Sequence, residues 1–221
     1  NAQTTGTSAI TVPNIGSGAI NLSTGAGVNG NVAIGNANTA SITLSGLIYS
    51  VDGNITLTTT AGSGTSTSNH EINITGGTAG ADPFIATDAG NISFVGGEVE
   101  LANNSNLTIN SNRLAGSTSG NISIAKGIDG TSDEDLTITT TTSGTGTISL
   151  GPVGPGGFSG SGNAEISLLT VTGAGDITLN GDITTSDLGS PAVSITGDVV
   201  LAADADNLSL IHISEPTRPP E

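Results

Sequence analysis

The chain of 221 residues contains no cysteine, no methionine and no tryptophan, and only 2% of its residues are aromatic. Without cysteine there are neither disulfide bonds nor thiol chemistry. An ordinary globular core would use more large aromatic and sulfur-containing side chains. The composition therefore predicts a narrow core made of small branched residues.

Basic residues are almost as scarce. Arg113, Lys126 and Arg218 stand against 19 acidic residues, which gives a formal net charge of −16. A protein without a basic patch is a poor partner for a phosphate backbone or for anionic lipid. No apolar run approaches the ~20 residues that a membrane helix needs. We therefore expect an acidic, soluble protein with no nucleic-acid partner and no membrane insertion.

Glycine is abundant instead, with 34 residues. It recurs in a short unit, Gly followed by Asn or Asp and then by a short alternating strand, as in residues 53–57 and twice within residues 173–185. Gly-Asn and Gly-Asp favour turns. The alternation that follows places both apolar side chains on one face of a strand. One such strand cannot bury its apolar face alone, but many stacked strands can.

Sixteen triplets with apolar first and third residues predict strands, and no window shows the spacing of an amphipathic helix. The triplets begin at Ile10, Ile20, Val32, Ile42, Ile55, Ile72, Ile92, Val99, Leu107, Ile122, Leu136, Ile148, Ile166, Ile177, Val193 and Val199. Segments rich in Gly, Ser and Pro at residues 62–68, 76–83 and 151–162 are typical of surface loops.

The Gly-Asn and Gly-Asp turns are unevenly spaced, which excludes repeat families of strict period. They begin at Gly30, Gly53, Gly90, Gly120, Gly175, Gly181 and Gly197. A right-handed parallel β-helix, a β-solenoid with coils of roughly 20–25 residues, tolerates such spacing because loops leave between its strands. We predict this all-β fold. The alternative is a series of stacked irregular β-sandwich repeats, and a third possibility is a disordered linker.

One acidic group is dense enough to suggest a metal site. Asp129, Asp133, Glu134 and Asp135 fall within seven residues, and calcium prefers oxygen ligands. The ligand spacing of an EF-hand is absent, however, and a solvated acidic loop explains the same residues. The sequence leaves calcium binding and a plain surface loop as alternatives, and it indicates no other cofactor.

The sequence gives little support for catalysis. Enzymes that act on polysaccharides from a β-helix need carboxylates grouped with cations or aromatic platforms. Here the four aromatic residues are scattered, Phe94 fits the core pattern, and His70 lies among Ser, Thr and Asn. We therefore predict that the chain is not an enzyme. The competing hypothesis, a fragment of a polysaccharide-acting β-helix enzyme, requires a cleft with clustered Asp and Arg beside Arg113 or Lys126.

Asparagines at the start of several strand triplets also begin Asn-x-Ser/Thr tripeptides, as do Asn21, Asn54, Asn73, Asn91, Asn106 and Asn121. Their place in the turn–strand unit predicts side chains that stack and hydrogen-bond between coils. Glycosylation is the alternative interpretation.

Residues 166–185 and 192–202 resemble the repeats of large bacterial surface proteins, the β-strand-repeat and filamentous-haemagglutinin-like adhesins, and the texture extends over most of residues 1–207. The resemblance implies a structural or adhesive rod that is secreted or held at the cell surface in association with the outer membrane. Its partner would be an unknown glycan, host or cell-surface ligand. A passive spacer is the alternative role.

The last residues differ in composition from these repeats. Residues 208–218, Leu-Ser-Leu-Ile-His-Ile-Ser-Glu-Pro-Thr-Arg, resemble a translated adapter used in DNA library preparation. The resemblance implies a metagenomic fragment, with a solenoid region at 1–207 and an artefact tail at 208–221. A truncated solenoid exposes unpaired strand edges, so we also expect end-to-end self-association.

Overall fold

The chain folds into a stack of coils, each built from three short strands. The computed structural model describes residues 9–12, 30–37, 39, 41–50, 53–59, 72–75, 84–102, 105–114, 118–131, 134–141, 144–154, 166–186 and 192–202. Within these residues every element is a β-strand, a turn or a bend.

The strands form three sheets, each running along the stack. Sheet 1 contains β2 (Val32–Gly35), β5 (Ile55–Thr58), β8 (Ile92–Val95), β11 (Ile122–Ile124), β14 (Ile148–Leu150), β16 (Ile177–Leu179) and β18 (Val199–Leu201). Sheet 2 contains β1 (Ala9–Val12), β3 (Ser41–Leu44), β6 (Ile72–Thr75), β9 (Val99–Ala102) and β12 (Ile128–Gly130). Sheet 3 contains β4 (Leu47–Ser50), β7 (Phe84–Thr87), β10 (Leu107–Asn110), β13 (Asp135–Thr139), β15 (Leu168–Thr172) and β17 (Val193–Thr196).

From β2 onward the chain visits sheet 1, sheet 2 and sheet 3 in turn. In the last coils sheet 2 narrows to single bridges, from Ile128 to Val153 and from Val153 to Ile183. Every strand pairing in the described residues is parallel, and like residues meet, as Ile55 meets Ile92. This confirms the all-β parallel solenoid. The β-sandwich alternative is wrong, because its strands would pair antiparallel.

The core lies between the three sheets. Apolar residues at alternate strand positions point inward, and Ile55, Leu57, Ile92 and their equivalents form one buried cluster. Phe94 belongs to it with 2% of its surface exposed, as predicted. Each such side chain contributes about 1.5–3 kcal/mol when fully buried. Short strands are therefore stabilised by the coils above and below them.

A column of glycines sets the distance between coils at the start of sheet 1. A methyl group on Gly53 would overlap the carbonyl oxygen of Gly30, and one on Gly90 would overlap that of Gly53. Gly120 stands in the same relation to Gly90. Glycine is required here because the backbones of successive coils approach too closely for a side chain.

Beside the glycines runs a ladder of asparagines. The Oδ1 of Asn31 accepts a hydrogen bond of 2.9 Å from the backbone N–H of Asn54. The Oδ1 of Asn54 accepts one of 2.8 Å from Asn91, and the Oδ1 of Asn121 accepts one of 2.9 Å from Thr147. The predicted stacking is confirmed for Asn54, Asn91 and Asn121. A similar bond between coils lies next to sheet 3, where the Oδ1 of Asn106 accepts from the N–H of Asp135 at 2.8 Å.

The spacing of the Gly-Asn and Gly-Asp turns in the sequence does not match the length of the coils in the structure. The strands of sheet 1 begin at residues 32, 55, 92, 122, 148, 177 and 199, which are 22 to 37 residues apart. Most coils are therefore longer than the predicted 20–25 residues. In the wide gap between Gly120 and Gly175, Gly146 and Thr147 occupy the Gly-Asn position. Gly181 precedes a strand position of sheet 2, so the doubled unit at 173–185 lies within one coil.

The predicted loop at residues 151–162 begins later than expected. Val153 is fully buried and bridges to Ile128 and Ile183, so it belongs to sheet 2. Residues 151–154 therefore belong to the stack, and residues 155–162 lie outside the described residues.

Candidate functional site

Two of the predicted loops, at 76–83 and 151–162, connect the same pair of sheets. Residues 76–83 connect β6 to β7, and residues 155–165 connect Val153 to Ile166, which precedes β15. Both connections run from sheet 2 to sheet 3. The third predicted loop, at 62–68, connects sheet 1 to sheet 2. All three loops lie outside the described residues, but their ends are fixed by the strands that flank them.

The acidic residues predicted to bind calcium take different positions. Asp129 lies in β12, buried, in register with Glu100 of β9. Glu134 is also buried, and its carboxylate accepts hydrogen bonds of 2.9 Å from both the N–H and the hydroxyl of Thr131. Asp135 begins β13 and is half-buried. Asp133 lies outside the described residues.

The environment of Asp129 disfavours its charged form. Burial raises the pKa of the Asp129 carboxyl to about 8, and the nearby carboxylates of Glu100, Glu98 and Glu134 add to this effect. Asp129 is therefore protonated near pH 7. A protonated carboxyl is a poor ligand for a hard cation.

The described residues contain no group of three or more His, Cys, Asp or Glu side chains placed to hold a metal ion. The structure thus separates the roles of these carboxylates: Glu134 closes a turn, Asp129 is a buried acid and Asp135 is part of a strand. Calcium binding that includes Asp133 stays a prediction.

A second polar cluster, which we call the Arg113 cluster, joins Tyr49, Asp88 and Arg113. The Tyr49 hydroxyl donates a hydrogen bond of 2.5 Å to the Oδ2 of Asp88. The Nε of Arg113 lies 3.8 Å from the Oδ1 of Asp88, and the guanidinium carbon lies 4.1 Å from the centre of the Tyr49 ring. Asp88 is 7% exposed, whereas Arg113 is 45% exposed.

Sheet 3 brings the members of the Arg113 cluster together from three coils. Tyr49 is in β4, Asp88 follows β7 and Arg113 follows β10, where its N–H donates to the carbonyl of Thr87 at 3.0 Å. Burial, and next the hydrogen bond to Asp88, raise the pKa of the Tyr49 phenol above its usual value. Sequence reasoning missed this cluster, since residues 39 and 25 positions apart meet only once the coil lengths are known.

The Arg113 cluster bears on the enzyme hypothesis, which required clustered Asp and Arg beside Arg113 or Lys126. It supplies one carboxylate, held by a tyrosine and an arginine. Glycoside hydrolysis generally needs two carboxylates about 5–9.5 Å apart on either side of the scissile bond. Lys126, in the turn between β11 and β12, is exposed. The contacts of the Arg113 cluster therefore link successive coils, and they do not form a pair of catalytic carboxylates.

The described part of the chain contains no helix that could cross a membrane. Comparison of the whole chain with known protein families, with curated proteins and with solved structures finds no match.

Proposed function

We propose that this chain is a structural and adhesive rod segment of a large secreted or cell-surface bacterial protein, with no catalytic role. The observation that supports the proposal most directly is the continuous register of sheet 1, in which seven parallel strands stack and the first six share one glycine column. At about 4.8 Å between neighbouring strands, they extend over about 30 Å. Such a stack lengthens by adding coils without changing its cross-section.

Binding in this proposal belongs to the edge between sheets 2 and 3. Residues 76–83 and 155–165 both connect sheet 2 to sheet 3, in different coils. A rigid scaffold that positions variable loops is the usual way for a repeat protein to present a binding surface. The partner would be a glycan, a host protein or a cell-surface ligand.

The test is to measure binding of the purified chain to glycan arrays and to intact cells. The matched variants replace either 76–83 or 155–165 by a short Gly-Ser turn, and the control variant replaces residues 62–68, which connect sheet 1 to sheet 2. The proposal predicts binding that falls with the first two replacements and survives the third. Binding to neither probe would leave a passive spacer, and release of reducing sugar from a polysaccharide would favour the enzyme alternative.

A further inference from the structure

The outer face of sheet 3 carries a regular array of hydroxyl groups. In β13 and β15 the core residues alternate with residues that point outward and are partly exposed. Two neighbouring columns of outward residues stack in register from β10 through β13 and β15 to β17. The first column contains Thr108, Thr137, Thr170 and Ser194, and the second contains Asn110, Thr139, Thr172 and Thr196. We call these eight side chains, all but one of which carry a hydroxyl, the hydroxyl array.

The hydroxyl array repeats in two directions with fixed spacings. Neighbouring strands of a sheet lie about 4.8 Å apart, and residues two positions apart in one strand lie about 6.6 Å apart. The three steps from Thr108 to Ser194 therefore extend over about 14 Å. The branched side chain of threonine has a restricted χ1 angle, so its hydroxyl and methyl groups keep their positions. The face is a small two-dimensional lattice of ordered polar groups.

The hydroxyl array is uncharged, although the chain has a net charge of −16. In the column beside it, Asp135 is the one acidic residue of β13 and stands in register with Leu168 of β15. The outward column of sheet 2, by contrast, contains Glu100 in register with Asp129. An uncharged partner therefore matches the outer face of sheet 3 better than an ionic one does.

Sheet 1 also has an outward column of hydroxyl groups, but only a single one. Thr56, Ser93 and Ser123 stack there in register. The asparagine ladder flanks this column on one side, and its Oδ1 atoms are engaged in bonds between coils. On the other side Thr58 stands in register with Val95. Among the described strands, two adjacent columns of hydroxyl groups therefore belong to sheet 3.

We propose that the hydroxyl array binds ice. The surface of an ice crystal presents uncharged oxygen atoms at fixed positions, and on a prism face these positions repeat at distances similar to both spacings of the array. Liquid water has no such lattice, so a rigid array can distinguish the solid from the liquid. Each contact is weak, but ordered side chains lose little conformational entropy when all of them bind together. The array lies along the side of the stack, and the inference does not rest on the loop display proposed above.

A crystalline polysaccharide is the other solid that presents a regular, uncharged surface of hydroxyl groups. Ligand-binding sites are usually lined by hydrophobic and aromatic side chains together with a few polar groups. Phe84 and Tyr49 stand in the two columns, but only in the coils that precede β10. The hydroxyl array itself contains no aromatic ring, which favours ice as the partner.

Thermal hysteresis, the difference between the melting and freezing temperatures of an ice crystal in a solution of the protein, tests the proposal. We expect the full chain to produce a measurable hysteresis and to give the crystal flat facets. Thr170→Tyr places a large ring between Thr137 and Ser194 in the first column. This variant should lose most of the hysteresis, because the ring holds the ice surface away from the neighbouring hydroxyls.

The matched control is Thr178→Tyr, which makes the same exchange at an outward position of β16 in sheet 1. Tyrosine is favoured in strands, so both variants should fold, and circular dichroism verifies this. The control should retain the hysteresis of the unchanged chain. An equal loss in both variants would show that sheet 3 is not the binding face and would overturn the proposal.

Adsorption of the labelled chain to a growing ice crystal provides a second measurement. Lys126 is the only lysine of the chain and is exposed in the turn between β11 and β12, so a dye attached there leaves sheet 3 unaltered. The expected result is incorporation of the dye into the ice, with less incorporation for Thr170→Tyr. Exclusion of the unchanged chain from ice would overturn the proposal, and binding to microcrystalline cellulose in that case would identify a polysaccharide as the partner.

Discussion

The Oδ1 of Asn91 accepts a hydrogen bond of 2.7 Å from the backbone N–H of Asn121, one coil further along the stack. The bond joins two exposed residues that are 30 positions apart in the chain. It provides a partner for a backbone donor at the corner of a coil, outside the regular strand ladder. The Gly-Asn unit of the sequence is therefore a device for aligning successive coils.

Asn91→Ala removes this acceptor and should lower the free energy of unfolding by about 1 kcal/mol, the usual net value of one hydrogen bond. Asn91→Asp keeps an oxygen at the same position and should cost less. Urea denaturation followed by circular dichroism measures both variants. Equal losses for Ala and Asp would show that the Oδ1 contact does not stabilise the stack.

The close contacts in the glycine column predict that glycine-to-alanine substitutions destabilise the chain to different extents. Gly120→Ala should destabilise the chain by about 3 kcal/mol, because the new methyl group meets the Gly90 carbonyl and the coils must separate. Gly175→Ala should cost less, since its methyl group would lie 2.8 Å from the nearest oxygen, that of Gly146. Thermal unfolding of the two variants decides the order, and a smaller loss for Gly120→Ala would contradict the column.

Asp129 predicts a pH dependence. Its pKa is raised from 3.8 to about 8 in the folded chain, so the folded state holds a proton that the unfolded state releases. The free energy of unfolding should fall as pH rises between about 4 and 8, by at most on the order of 5 kcal/mol, and level off above that range.

Asp129→Asn cannot ionise, so it should be more stable than the wild type at pH 9 and close to it at pH 4. Asp176→Asn, at an exposed corner of sheet 1, is the control and should not remove the pH dependence. Denaturant melts at several pH values give the comparison. If the stability of the wild type rises between pH 4 and 8, and Asp129→Asn abolishes that rise, the raised pKa assigned to Asp129 is wrong.

The ionisation of Tyr49 reports on the Arg113 cluster. Its ultraviolet signal can be followed alone, because Tyr49 is the only tyrosine in a chain without tryptophan. Its phenol should ionise above the usual pKa of 10.0 because it is buried and bonded to Asp88. Asp88→Asn should lower the pKa of Tyr49, and Arg113→Ala should raise it, since the guanidinium favours the phenolate. Ultraviolet titration measures both shifts.

Lys126→Ala is the matched control for Arg113→Ala, since it removes an exposed cation elsewhere on the stack. The pKa of Tyr49 should not change in this variant. A shift as large as that of Arg113→Ala would mean that net charge, and not the contact over the ring, controls the phenol.

Most strands could be predicted from the sequence because a half-buried strand alternates apolar and polar residues. The triplets at Ile55, Ile92 and Ile122 are strands with alternating burial. The triplet at Ile166 was placed too early: Ile166 makes a single bridge, and the strand runs over Leu168–Thr172 with Leu169 and Val171 inward. The triplet at Ile20 lies outside the described residues.

Three strands, β4, β7 and β12, lack the alternation of apolar and polar residues, so the sequence did not predict them. In β4 and β7 the last three residues are all buried, because the chain turns there toward the next coil. Thr87 at the end of β7 donates its hydroxyl to the carbonyl of Gly90 at 2.5 Å, so a polar residue is satisfied inside. β12 is short and carries the buried Asp129. Polar residues buried by local hydrogen bonds leave no periodic signal.

The Arg113 cluster and the pairing of Asp129 with Glu100 depend on register between coils of unequal length. The sheet 1 strands β5 and β8 begin at residues 55 and 92, whereas β8 and β11 begin at residues 92 and 122, so the second of these coils is shorter. Sequence reasoning had no means of aligning Asp88 with Arg113 across such differences. The repeated Gly and Asn residues aligned successive coils only where the strands of sheet 1 begin.

Amide hydrogen exchange measured residue by residue tests the central claim, a stack of parallel coils, most directly. The account predicts slow exchange at Ile55, Ile92, Ile122 and Ile148, whose N–H groups donate to the neighbouring coil, and recurring protection in all three sheets. Protection should weaken toward β18 in the monomer. Exchange at the rates of an unfolded chain throughout residues 30–202 would contradict the account and favour a disordered linker.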